Sequence, residues 1–169
     1  SGAQAEILKK LFPQLTIVLM DLAPQLYITE RYLSKSFPDD IVPYCETNSH
    51  GWDGRLASGK IYCLPLRAIE KLAPEGKVLF WNAASFGEME PAVVYNYAKH
   101  VSKFSKSLFL MQHFAGKIGV VTPVTRPVYE KAFSSYKLIG KAHSTLADTV
   151  SPIFEDDGIY HNTFWQRRT

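Results

Sequence analysis

The chain has 169 residues, 46% of them hydrophobic and 21% charged, a length that holds one ordinary domain and a composition that builds a packed core and excludes a disordered chain. Its formal charge of +3 is small, and Lys and Arg are scattered along the sequence, so no electrostatic footprint for nucleic acid stands out. The longest apolar runs, around VLFWNAAS and SLFLM, fall short of the roughly 18 residues that a membrane span needs, and no charged-then-apolar signal segment opens the chain.

Residues 3–12, AQAEILKKLF, place Ile7, Leu8, Leu11 and Phe12 on one face at helical spacing, with Pro13 ending the run. The segment preceding it, Ser1-Gly2, is no translation start, and the expectation is a chain that begins in mid-protein or carries an added terminus. Thr16 to Met20 is a β-prone apolar run closed by Asp21, as in a strand of a parallel sheet buried on both faces. A second helix is predicted from about Pro24 to Phe37, with Pro24 in the first turn and Leu26, Leu33 and Phe37 facing the core. Residues 38–59, rich in Pro, Asp, Asn, Gly and Ser, read as loop.

Lys60 to Leu64 is the next strand, closed by Pro65 and followed by a short helix over residues 67–72. After the turn Pro74-Glu75-Gly76 comes the strongest strand, Val78 to Trp81. A helix over 90–103 then sets Met89, Val93, Tyr97 and Val101 on one stripe, and Ser107 to Met111 is another buried strand. Alternating strands and helices with short connections predict a parallel sheet wrapped by helices. The more polar stretches 136–146 and 159–166 read as an antiparallel pair at a sheet edge, joined by the loop at 152–158. Cys45 and Cys63 form no CxxC pair and have no histidine at metal-ligand spacing, which fits reduced thiols in a cytoplasmic protein and implies no metal.

In open α/β sheets ligands bind beyond the carboxyl ends of the strands, which directs attention to Asp21, Leu64-Pro65, the segment Asn82 to Glu90, and Gln112-His113. A carboxylate closing the second strand of a nucleotide-binding unit can accept from two ribose hydroxyls; Asp21 can equally cap the following helix. Ser85-x-x-Glu88 before an apolar helix matches a capping box, while Glu88 over the crevice can act as a general base. His113 is a base at neutral pH or a packed residue beside Phe114. The other four histidines form no metal pair. The aromatic residues follow core spacing, so no base-stacking platform is needed to account for them.

Taken together, SGAQAEIL, TIVLMDLAPQLYITERYLSKSFP, KIYCLP, LFWNAASFGEMEP and SLFLM resemble the sugar O-methyltransferases of polysaccharide and lipopolysaccharide gene clusters, a branch of the class I S-adenosylmethionine (SAM)-dependent methyltransferases. DLAPQLYITERYLSKSFP and NAASFGEM carry the specific part. The resemblance implies a Rossmann-like three-layer α/β/α methyltransferase fold, residues 1–169 forming a single, partial domain. Its sheet would be mostly parallel with an antiparallel C-terminal hairpin, in the order 3-2-1-4-5-7-6. The first strand of that order would be missing, leaving the strands at 16–20 and 78–81 with unpaired inner edges.

The resemblance further implies that Gly2 ends the cofactor loop and that Asp21 binds the ribose of SAM. Leu64 would lie near the adenine, Asn82 would open the segment lining the methionine end, and Ser85 and Glu88 would face the acceptor. The expected partner is a sugar or glycan, with no nucleic acid and no membrane span. The chain by itself is expected to be inactive, and unstable or homo-oligomeric. A nicotinamide-dependent oxidoreductase is an alternative, since an Asp after the second strand also serves NAD, although no Tyr-x-x-x-Lys follows the strand at 78–81. A non-catalytic methyltransferase-like binding domain is another, because fold alone does not exclude it.

Overall fold

The computed structural model describes residues 2–113, 123–143 and 160–168, and the chain forms two compact units, Ser1–Pro74 and Glu75–Thr169. In the first unit, α1 (Ala3–Leu11), β1 (Ile17–Met20), α2 (Ala23–Ser36), β2 (Ile41–Val42), α3 (Tyr44–Thr47) and β3 (Ile61–Leu64) follow in order, closed by a 3-10 turn at Leu66–Glu70. The three strands are parallel in the order β1-β3-β2. All four residues of the central strand β3 are buried, because both faces of the sheet are covered. Ile17 and Ile61 pack with Ala5 and Leu33 of the two long helices, while Tyr62, Leu64 and Ala68 form a second cluster with Val18, Met20, Trp52 and Leu72. Continuous apolar runs, not alternation, are what a parallel strand between two layers demands.

Two expectations are corrected in this unit. The run at 38–59 is not all loop: Ile41-Val42 joins the sheet edge and Tyr44–Thr47 forms a helical turn behind Pro43. And α1 buries Ala5 and Lys9, while Ile7, Leu11 and Phe12 of its apolar stripe are exposed. The buried face carries a lysine because its ammonium is fully engaged: Nζ donates to the carbonyls of Pro13 and Gly59 and lies 3.2 Å from the Asp40 carboxylate.

The second unit holds β4 (Leu79–Ala83), a 3-10 turn (Ser85–Glu88), α4 (Pro91–Phe104), β5 (Ser107–His113), α5 (Arg126–Ala132), β6 (Tyr136–His143) and β7 (Tyr160–Arg167). The sheet order is β4-β5-β7-β6, with β4 and β5 parallel and the β5-β7 and β7-β6 pairs antiparallel. The antiparallel pair expected at 136–146 and 159–166 is therefore present, with a bulge between Leu138 and Gly140; the loop expected at 152–158 lies outside the described residues. Register alternation gives the sheet two different faces. Leu108, Leu110, Thr163 and Trp165 are buried on one side, whereas Trp81, Phe109 and Phe164 line the other side in edge-to-face contact, ring centroids 4.9 Å apart in each pair.

The stripe predicted on α4 holds at Val101 but is displaced by one position at Val94 and Ala98. Val94, Ala98 and Val101 are buried, and Val93 is 42% exposed. His100 is also buried. The helix α5 went unpredicted, although Pro127 sits in its first turn. β1 and β4 are each the terminal strand of their sheet, and among the described residues no strand pairs with their outer edges.

Candidate functional site

The residues singled out in the sequence fall in two groups, all but Gly2, which precedes α1, at or after the carboxyl ends of parallel strands. Gly2, Asp21 and Leu64 belong to the first unit; Asn82, Ser85, Glu88 and His113 belong to the second.

Asp21 follows the last residue of β1 and is exposed. Its Oδ1 accepts the Leu22 amide at 2.8 Å. The helix-cap reading fails, because the N-cap of α2 is Leu22 and no side chain caps its first turn. A charged carboxylate that caps nothing, presented at a strand's carboxyl end, keeps acceptor capacity for a ligand. Gly2 is helical at φ −74°, so no left-handed backbone requires it. A Cβ there would come within 3.1 Å of Leu33 and Tyr32, and packing of α1 on α2 accounts for the glycine. The Leu64 side chain is wholly buried with Tyr62 and Ala68, and Pro65 after it is buried as well.

In the second unit, β4 runs into a tight turn at Ala84, whose φ of 70° is left-handed, alone among the described non-glycine residues. That conformation costs an L-residue about 1–2 kcal/mol and is held by its surroundings. The Ala84 amide donates to Met111 of β5 at 3.0 Å. The largely buried Asn82 carboxamide spans the turn, Nδ2 donating to Ser85 Oγ at 2.6 Å and Oδ1 accepting the Phe86 amide at 3.2 Å. This arrangement replaces the expected capping box: neither the 3-10 turn nor α4 has a side-chain cap bond. Glu88 is consequently exposed, with no cap to complete. The backbone of His113 ends β5 opposite Tyr160; its side chain lies outside the described residues.

Sequence reasoning assigned no role to Gln112. Its side chain is 1% exposed, on the covered face of the sheet. Neither Nε2 nor Oε1 has a hydrogen-bond partner among the described residues. A polar residue at the end of an apolar strand was visible; that it would be buried without a partner was not. Among the described residues no cluster of His, Cys, Asp and Glu could hold a metal ion, and no helix is long and apolar enough to cross a membrane.

No protein-family model and no curated protein matches the chain; solved structures do. LepI in complex with SAM is 9% identical, with a TM-score of 0.57 over 99% of this chain and 40% of that one. The mitomycin 7-O-methyltransferase MmcR is 10% identical, with a TM-score of 0.58 over 99% of this chain and 46% of that one. A pericyclic reaction enzyme is 9% identical, with a TM-score of 0.58 over 99% and 40%. The chain thus spans less than half the length of these structures. At such identities the likeness shows the fold: a class I SAM-dependent methyltransferase-like, Rossmann-like α/β/α arrangement, mostly parallel, with an antiparallel C-terminal hairpin.

Proposed function

We propose that residues 1–169 belong to a single SAM-dependent O-methyltransferase domain whose acceptor is a sugar hydroxyl. The observation that carries this reading is the fold likeness across 99% of the chain to a SAM-bound protein and to an O-methyltransferase. The sugar O-methyltransferase resemblance of NAASFGEM and DLAPQLYITERYLSKSFP narrows it to sugars. SAM, when bound, supplies an electrophilic methyl group.

Asp21, exposed and capping no helix, supports this reading. It would accept from the ribose hydroxyls. The Leu64-Pro65 turn would flank the adenine, and the β4 turn held by Asn82 and Ser85 would line the methionine end. Glu88, exposed beside that turn, would take the proton of the acceptor hydroxyl, with His113 as the other candidate base. Such a displacement depends chiefly on holding the acceptor oxygen in line with the methyl, and it calls for no metal.

Calorimetry with S-adenosylhomocysteine tests the reading. Binding by the protein is expected, and Asp21→Ala should weaken it by about 1.5–3 kcal/mol, the worth of hydrogen bonds to a charged group. No binding by the wild type overturns the proposal, and equal affinity in the two removes Asp21 from the site. A second reading, a SAM-binding protein with chemistry other than methyl transfer, is favoured by the likeness to a pericyclic reaction enzyme. Transfer of labelled methyl from SAM to a glycan separates the two.

A further inference from the structure

Two features at the carboxyl edge of the β4-β5 pair work against stability. Ala84 holds a left-handed backbone, φ 70°, at the end of β4. Gln112, near the end of β5 and 1% exposed, buries a carboxamide with neither its donor nor its acceptor engaged among the described residues. The two are neighbours in the structure, since the Ala84 amide bonds to the carbonyl of Met111, the residue before Gln112. Two other polar side chains of the covered face are satisfied: Asn82 by Ser85 and Phe86, and Thr163 by the Leu110 carbonyl and the Trp165 indole. Gln112 stands apart from them. A buried amide left unmade carries its full desolvation penalty, and an apolar side chain of the same size would avoid it. Strain and unmet polar groups collected at one strand edge are the pattern of a position kept for ligand contact instead of stability.

We propose that the Gln112 carboxamide is a recognition group for the acceptor, donating from Nε2 to one oxygen and accepting at Oε1 from a hydroxyl of a neutral polyol or sugar. The pairing suits a hydroxyl-bearing ligand because a carboxamide offers donor and acceptor side by side, as vicinal hydroxyls do. Because the residue is buried, a contact with it forms in an enclosed, water-poor site where a hydrogen bond counts most. The ligand class rests on the methyltransferase reading; the unmet amide does not.

The test uses the full chain, Gln112→Leu and Gln112→Met. Removal of an unmet amide should raise the melting temperature by about 2–4 °C. In the wild type, the Gln112 side-chain NH2 resonances, identified by their loss in Gln112→Leu, should shift on titration with methyl glucoside, methyl mannoside or methyl galactoside. S-adenosylhomocysteine affinity should be the same in all three proteins. A lower melting temperature in both variants, or NH2 resonances unmoved by every glycoside, overturns the proposal. Loss of S-adenosylhomocysteine binding in the wild type instead overturns the methyltransferase reading, while melting and the glycoside titration still report on Gln112.

Discussion

At the scale of single residues, the structure separates groups that the sequence left with two roles. Glu88 could have closed a capping box with Ser85; instead Asn82 binds that serine and the Phe86 amide, and the carboxylate is exposed. Glu88→Gln should therefore leave the melting temperature almost unchanged while lowering turnover by about 10²-fold if the carboxylate is the base. Unchanged turnover assigns the base to another group. The cysteines differ in the opposite sense. Cys63, central in β3, is fully buried, and burial, with a smaller contribution from the charge of Glu30, pushes its thiol up to about 12. Cys45 is exposed. Iodoacetamide near pH 8 should modify Cys45 and spare Cys63 until the protein is denatured; equal rates would place Cys63 at the surface. The sign of the linkage follows. A folded-state value raised above the unfolded one leaves stability undiminished below about pH 9 and erodes it as pH rises from there toward 12.

At the scale of elements, hydrophobic spacing marked where helices lie but not which face each would bury. On α1 the buried position i+4 from Ala5 is Lys9, whose ammonium ties the turn at Pro13, the chain at Gly59 and the Asp40 carboxylate together. Such a charge is favourable only with its partners in place. Lys9→Met should destabilise the fold by about 3 kcal/mol, toward the lower end for breaking a buried pair because Asp40 is partly exposed. Urea unfolding with an unchanged m-value measures this; a loss near zero would mean that the methylenes, and not the charge, hold α1 in place. Strands were more legible than helix faces. Ile17–Met20, Ile61–Leu64, Leu79–Ala83 and Ser107–His113 stand within a residue or two of the expected runs, since a buried parallel strand leaves a continuous apolar signal. Ile41-Val42 was missed because two residues form no pattern, whereas α5 was legible in the helical spacing of Val124, Val128, Tyr129, Ala132 and Phe133 and was overlooked.

At the scale of the molecule, the two sheets end in β1 and β4. β4 presents Leu79 at 53% and Trp81 at 42% exposure, beside an edge that no strand pairs with among the described residues. Edges of this kind template association between chains. The 169-residue chain should therefore self-associate with rising concentration, and Leu79→Lys should reduce that association while shifting the melting temperature little. Light scattering across a concentration series decides it, and a chain that stays monomeric throughout removes the edge from consideration.

The sequence by itself determined the strands at 17–20, 61–64, 79–83 and 107–113, the long helices between them and the antiparallel C-terminal pair, because apolar runs and proline stops are local. Tertiary structure decided what depends on neighbours distant along the chain. Lys9 is interior because carbonyls from two separate turns meet it. Asn82 shapes the β4 turn because Ser85 and Phe86 fold back onto it. Gln112 is buried because the register of β5 points it to the covered side of the sheet, with Leu108 and Leu110. Pairing and burial of polar groups are long-range properties, and no spacing rule within one segment specifies them.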